Sequence, residues 1–217
     1  MGVFSGSLTF KQYTARDSIP DDWKTLYQKA IERYTFRPLD PASEAERAVG
    51  WCSPHFPLDL ELDLSDLMYT DYLVLGMRID TWNLPAATLK IYAEAEARRV
   101  MAEQQREALN RYERAEIKER IKLELKRKTL PSIKTIEMVW NWREGVIRLF
   151  SSSQKVNLEF VDLFEETFAV RLMPDGPLAA ARSAAAGLSD DEQGQVLELE
   201  PCLFVDTNTA FEALSEI

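Results

Sequence analysis

The apolar positions of this chain change period several times, and each change marks an element. Residues 3–13, "VFSGSLTFKQY", partly alternate and predict a strand. In "SIPDDWKTLYQKAIERY", Trp23, Leu26, Ala30 and Ile31 recur at three- and four-residue spacings, which predicts a helix with one buried stripe. Ser18 is the candidate N-cap, Pro20 suits the first turn, and Asp21 and Asp22 complement the positive end of the helix dipole. "FRPLDP" ends that helix and opens a loop. "LDLELDL", residues 58–64, alternates strictly. Leu58, Leu60, Leu62 and Leu64 fall on one face and Asp59, Glu61 and Asp63 on the other, which predicts a half-buried strand. "YLVLGMRID", residues 72–80, is a near-continuous apolar run and suits a central strand.

From Pro85 to Pro131 the chain is rich in Ala, Glu, Lys, Arg, Gln and Leu, with no Gly or Pro between. That composition predicts a long charged helical arm over about 86–130, either one helix or two with a break near Asn110. "IKTIEMVWNW" and "GVIRLFSS" then read as two strands joined by a tight "REG" turn. "SQKVNLEFVDLFEETFAV" reads as a helix with Leu158, Val161, Leu163 or Phe164, and Phe168 inward, and "VRLMP" as a short closing strand. The order of elements predicts an α+β fold, with antiparallel or mixed sheets packed against helices. One domain is expected over 1–174, followed by a linker and acidic tail over 175–217, where "QVLELEPCLFVDTNTAFEALSEI" has the pattern of a strand and a short helix.

Composition narrows the chemistry. With 46% hydrophobic residues in 217, the chain can bury a substantial core. It has no run of roughly 18 apolar residues and no basic leader before an apolar region, so neither a membrane span nor a signal peptide is expected. Two distant cysteines, Cys52 and Cys202, and a single histidine, His55, fit a reduced, cytoplasmic setting. "CSPH" places Cys52 and His55 as two possible zinc ligands, but no second pair completes a site, so a turn is expected there and no metal. Asp59, Glu61, Asp63, Asp66 and Asp71 are the one acidic cluster that a magnesium-dependent nuclease would use, although strand alternation assigns three of them to solvent. Trp51, Trp82, Trp140 and Trp142 could stack on bases, but tryptophans in such settings are more often core. There is no phosphate-binding loop and no nucleophile elbow. No catalytic residue and no cofactor is assigned.

Charge changes the picture most. The chain carries a formal net charge of −10, yet residues 98–134 hold 12 cations against 6 carboxylates. On a helix, Arg111, Arg114, Lys118, Lys122 and Lys126 step by three and four into one stripe beside an apolar seam of Ile117, Ile121 and Leu125. The stripe is about 22 Å long at a rise of about 1.5 Å per residue. Duplex DNA presents a charge about every 1.7 Å, so such a ridge can meet several phosphates without reading sequence. The competing interpretation is a solvated helix supported by Glu116–Arg120 and Glu124–Lys128 pairs.

Several short motifs occur in a recognisable order. They are Phe36-Arg37-Pro38, Gly50-Trp51, the strand ending Arg78-Ile79-Asp80, then Leu84-Pro85, the charged helical segment closing on Leu130-Pro131, and a tryptophan-containing hairpin followed by a helix. Over roughly residues 1–172 this layout resembles the RdgC family of recombination-associated DNA-binding proteins, as a shortened or divergent member. The resemblance implies a non-enzymatic protein that binds double-stranded DNA with little sequence preference and lies with the nucleoid. It implies a homodimer around DNA that restrains strand exchange by a RecA-type recombinase. By position it also implies DNA contact by Arg111, Arg114, Lys118, Lys122, Lys126 and Arg127. The alternatives are a protein-interaction or oligomerisation module with a solvated charged helix and, further off, a metal nuclease using Asp59, Asp63 or Asp66.

Overall fold

The computed structural model describes residues 9–15, 19–20, 22–176, 180–181, 184–185 and 189–197. The chain divides into two units, Met1–Met173 and Pro174–Ile217. The first is built on an antiparallel sheet. Its strands are β1 (Lys11–Ala15), β2 (Arg47–Cys52), β3 (Met68–Tyr69), β4 (Tyr72–Thr81), β5 (Ser132–Asn141), β6 (Val146–Leu149) and β7 (Leu172–Pro174). They lie in the order β2-β4-β5-β6-β1-β7, with the short β3 also paired to β4. The helices of this unit are α1 (Trp23–Arg33), α2 (Leu64–Leu67), α3 (Ala86–Glu103), α4 (Arg111–Lys128) and α5 (Gln154–Phe168). The fold class is therefore α+β, as the element order predicts. In the second unit, α6 (Asp190–Leu197) is preceded by Ser189, whose N–H and hydroxyl both donate to Glu192 Oε2 at 3.0 and 2.7 Å.

One face of the sheet carries the core. Trp51, Leu73, Leu75, Met77, Ile79, Met138, Trp140 and Ile147 alternate inward and meet Tyr27 and Ile31 of α1 and Phe160, Phe164 and Phe168 of α5. Aromatic edges interlock there, with the Trp140 ring centroid 5.1 Å from Phe164 and 5.3 Å from Phe168. Polar atoms within this layer are paired in part: among the described residues Tyr27 Oη and Trp140 Nε1 are buried without a partner, whereas two others are bonded. Trp51 Nε1 donates to Thr167 Oγ1 at 2.8 Å, and the Tyr13 hydroxyl donates to Asn157 Oδ1 at 2.7 Å. The α1 stripe differs from expectation, because Tyr27 is buried and Leu26 is exposed. On α5, Leu158 is likewise exposed, and Val156 and Phe160 bury instead.

The opposite face carries a charge pair. Arg78 donates through Nε and Nη2 to the two carboxylate oxygens of Asp80, at 2.8 and 2.7 Å. The guanidinium also donates to Pro57 O at 3.2 Å and lies 4.2 Å from the centre of the Phe36 ring. The aspartate hydrogen bond holds Arg78 above its ordinary pKa. Gly50, the register partner of Arg78, lets Phe36 approach: a Cβ there would come within 2.5 Å of Phe36 Cα.

One expectation fails beside the central strands, and one strand is unpredicted. Residues 58–63 form no strand, and the alternating run ends in α2, capped by Asp63, whose Oδ1 accepts from Ser65 N at 2.8 Å. The segment's backbone is instead tied to the Gln28 side chain of α1, which donates to Leu62 O at 2.9 Å and accepts from Leu64 N at 2.7 Å. Leu62 and Leu64 bury, as alternation requires, while Leu58 is exposed. The strand that does flank β4 is β2, "RAVGWC", which the apolar pattern did not mark. Residues 3–8, Ser18, Asp21 and most of the expected C-terminal strand and helix lie outside the described residues.

Candidate nucleic-acid interface

The helical region is two helices folded back on each other, not one arm. Thr81 and Ser132 are register partners on β4 and β5, so the 50 residues between them are an insertion at the end of a β-hairpin. The break falls at 104–110. Gln105 adopts a left-handed φ of 52°, and Asn110 then opens α4 with a reciprocal capping box. Asn110 Oδ1 accepts from Glu113 N at 2.9 Å, and Glu113 Oε2 accepts from Asn110 N at 2.8 Å. Arg106 clamps the same carboxylate at 2.6 Å. That guanidinium, together with the Asn110 N–H, holds the Glu113 carboxyl below its usual range. Leu89, Ala97, Leu109, Ile117 and Ile121, with Leu125 packed against them, form a core separate from that of the sheet. The expected seam of Ile117, Ile121 and Leu125 is thus the buried face of α4.

The six cations named from sequence meet three different fates. Arg111, Arg114 and Lys118 are exposed along one side of α4. Arg114 Nε makes a long 3.4 Å hydrogen bond to Leu109 O, and none of the three pairs with a carboxylate among the described residues. Lys122 is ion-paired to Glu46, ahead of β2, at 2.5 Å. That contact raises the lysine pKa and lowers that of the glutamate. Lys126 is buried, at 2% exposure, and donates to Ser43 O and Ala45 O at 3.2 and 3.5 Å. It anchors α4 to the loop before β2. Arg127 is exposed but stands roughly 160° around the helix from Arg111 at about 100° per residue. The Glu116–Arg120 pair is not formed. Arg120 reaches across the hairpin to Glu96, which also accepts from Arg99. The structure also places Lys90 of α3 beside Arg114 and Lys118, around one groove. Lys90 lies 24 residues before Arg114, so only the fold-back brings them together.

Three of the five clustered acids are engaged locally. Asp59 Oδ1 accepts from Glu61 N, Asp63 caps α2, and Asp71 pairs with Arg143 at 2.7 Å. Cys52 is fully buried, and its thiol is pushed up to about 12 by that burial, whereas His55 is exposed and bonded to the Tyr69 hydroxyl at 2.9 Å. Among the described residues no group of three or more His, Cys, Asp or Glu side chains could hold a metal ion. None of their helices is long and apolar enough to cross a membrane. Trp51, Trp82 and Trp140 are buried, and Trp142 packs against the core and stacks on Trp23.

These features define an α+β protein in which a sheet carries an inserted, cation-edged helical hairpin. The family described as "Putative exonuclease, RdgC" matches residues 10–190, and the chain belongs to the RdgC family. No curated protein matches the chain. Family membership is consistent with a recombination-associated, DNA-binding role.

Proposed function

We propose that the protein binds double-stranded DNA without sequence preference through the α4 edge, and so modulates homologous recombination. The observation that carries this is the exposed row Arg111, Arg114 and Lys118, unpaired with carboxylates among the described residues of a chain whose net charge is −10. Lys122 joins the row when phosphate displaces Glu46, since both are surface groups in water. Lys126 supports the surface from beneath rather than touching DNA, and Arg127 contacts phosphate only where the duplex wraps the helix. From Arg111 to Lys122 the row is about 16 Å long at about 1.5 Å per residue, enough for phosphates of one groove edge. Family membership supports extending the proposal to a homodimer around DNA, to restraint of a RecA-type recombinase and to a place in the cytoplasm with the nucleoid. No chemical step is assigned, although the family's description mentions an exonuclease.

The test is fluorescence anisotropy with a random duplex of about 30 base pairs at several salt concentrations. Three or four phosphate contacts predict a log–log slope of about −3 to −4. Reversing Arg111, Arg114 and Lys118 to Glu should abolish binding at low salt while the melting profile is retained. Salt-independent binding, or binding unchanged in the triple variant, would overturn the proposal. Cleavage of the duplex in Mg²⁺ or Mn²⁺ that disappears in an Asp59, Asp63 or Asp66 variant would replace it with the nuclease.

A further inference from the structure

Between α3 and α4 lies a groove of about 430 Å³. Its apolar lining is Ala86, Leu89, Ala93 and Ala97, of which Leu89 and Ala97 are buried and Ala93 half-buried. Its rim is Lys90, Arg114, Lys118 and Glu94. Glu94 is already engaged, since its Oε1 accepts from Arg98 Nη2 at 2.7 Å. The three rim cations engage no carboxylate among the described residues, so the rim is cationic around an apolar trough.

Phosphodiester does not use such a trough. It has no donors to offer a phosphate oxygen, and covering it with a charged backbone dehydrates that backbone without return. A segment carrying apolar side chains and carboxylates together gains from both parts, with apolar area buried on the apolar lining and charge paired at the rim. The volume lies within the range of recesses that seat a ligand or a few side chains. We propose that this groove docks an acidic, apolar helical segment of a partner protein. Because the segment takes Arg114 and Lys118, it displaces duplex DNA from them. That second clause rests on the DNA-binding proposal; the docking itself does not.

The probe is a fluorescein-labelled synthetic peptide of about three turns, about 12 residues, with Leu at i, i+3, i+4 and i+7 and Glu elsewhere. Its control carries Ser in place of every Leu, at the same charge. Wild-type protein should bind the Leu peptide roughly tenfold more tightly than the Ser peptide, since even two methylene-rich side chains supply a tenfold step. Ala93→Trp fills the groove and should erase that difference while duplex binding persists. Lys90→Glu, a solvent-facing change off the α4 row, should weaken both peptides, and it remains informative if the tryptophan variant does not fold. Equal binding of the two peptides, no binding of either, or full binding by Lys90→Glu protein would overturn the proposal. Peptide binding without any duplex binding would sink the DNA reading and leave docking intact. Addition of the Leu peptide to protein–duplex complex should release duplex; a ternary complex would overturn the displacement.

Discussion

Removing the Asp80 carboxylate should be among the most damaging single changes in the sheet. Arg78 and Asp80 are 7% and 2% exposed and share two short, parallel hydrogen bonds. In Asp80→Ala the guanidinium keeps only Pro57 O and the face of Phe36, which cannot replace a counter-charge. Stranding one member of a buried pair costs about 3–5 kcal/mol, against a total stability of about 5–15 kcal/mol for a typical domain. Replacing both, as Arg78→Met with Asp80→Leu, removes the desolvation cost along with the attraction and should fall within about 2 kcal/mol of wild type. Urea unfolding followed by tryptophan fluorescence reads both. At a slope of about 2 kcal/mol per molar, the single variant moves its midpoint down by about 2 M and the double variant by no more than about half of that. A single variant within about 1 kcal/mol of wild type, or a double variant as unstable as the single, would refute the claim that an unpaired buried charge sets the cost.

Gly50→Ala should destabilise the fold by about 2 kcal/mol or more, because the new methyl meets backbone of Phe36 rather than a movable side chain; a neutral thermal melt would show that the loop bearing Phe36 shifts freely. Tyr27→Phe should be neutral or stabilising by about 1 kcal/mol, since the hydroxyl is buried without a partner among the described residues; a clear loss in the same melt would mean that the hydroxyl is bonded. The Glu113 carboxyl is depressed in the folded protein, so its contribution is full above the ordinary value of 4.5 and is lost as pH falls through the folded value. Amide protection factors, taken relative to the intrinsic rate at each pH, should therefore fall in residues 104–113 below pH 4.5 before those of β4 and β5, and Glu113→Gln should show the lower protection already at neutral pH. Equal protection factors at pH 7 and in acid would count against this.

β4 was legible because it is buried on both faces and writes a near-continuous apolar run, and β5 because its second half, from Ile136, is rich in buried β-branched and aromatic side chains. The edges were not. "RAVGWC" lacks alternation because its sites facing away from the core are small: Gly50 admits Phe36, and Cys52 lies under Gly76. "LDLELDL" has strand periodicity but finds its backbone partners in Gln28, 36 residues from Leu64, a long-range contact that leaves no local trace. The α4 seam was readable from Ile117, Ile121 and Leu125 by period alone. What period could not show is which cations keep their charge for a partner. Lys122 and Lys126 belong to the same stripe as Lys118, yet residues 43–46 claim both.

The insertion of the hairpin between register partners Thr81 and Ser132 has a consequence for how such a protein can vary. A sheet that closes beneath the insertion does not depend on what the insertion contains, and the hairpin's packing is settled among its own residues. Helix length, cation spacing and groove width can then be rewritten like a cassette in a fixed frame. Among the described residues the frame holds the insertion through the two lysines that fasten α4 to the loop ahead of β2, and through Trp82 N, which donates to Glu46 O at 2.9 Å.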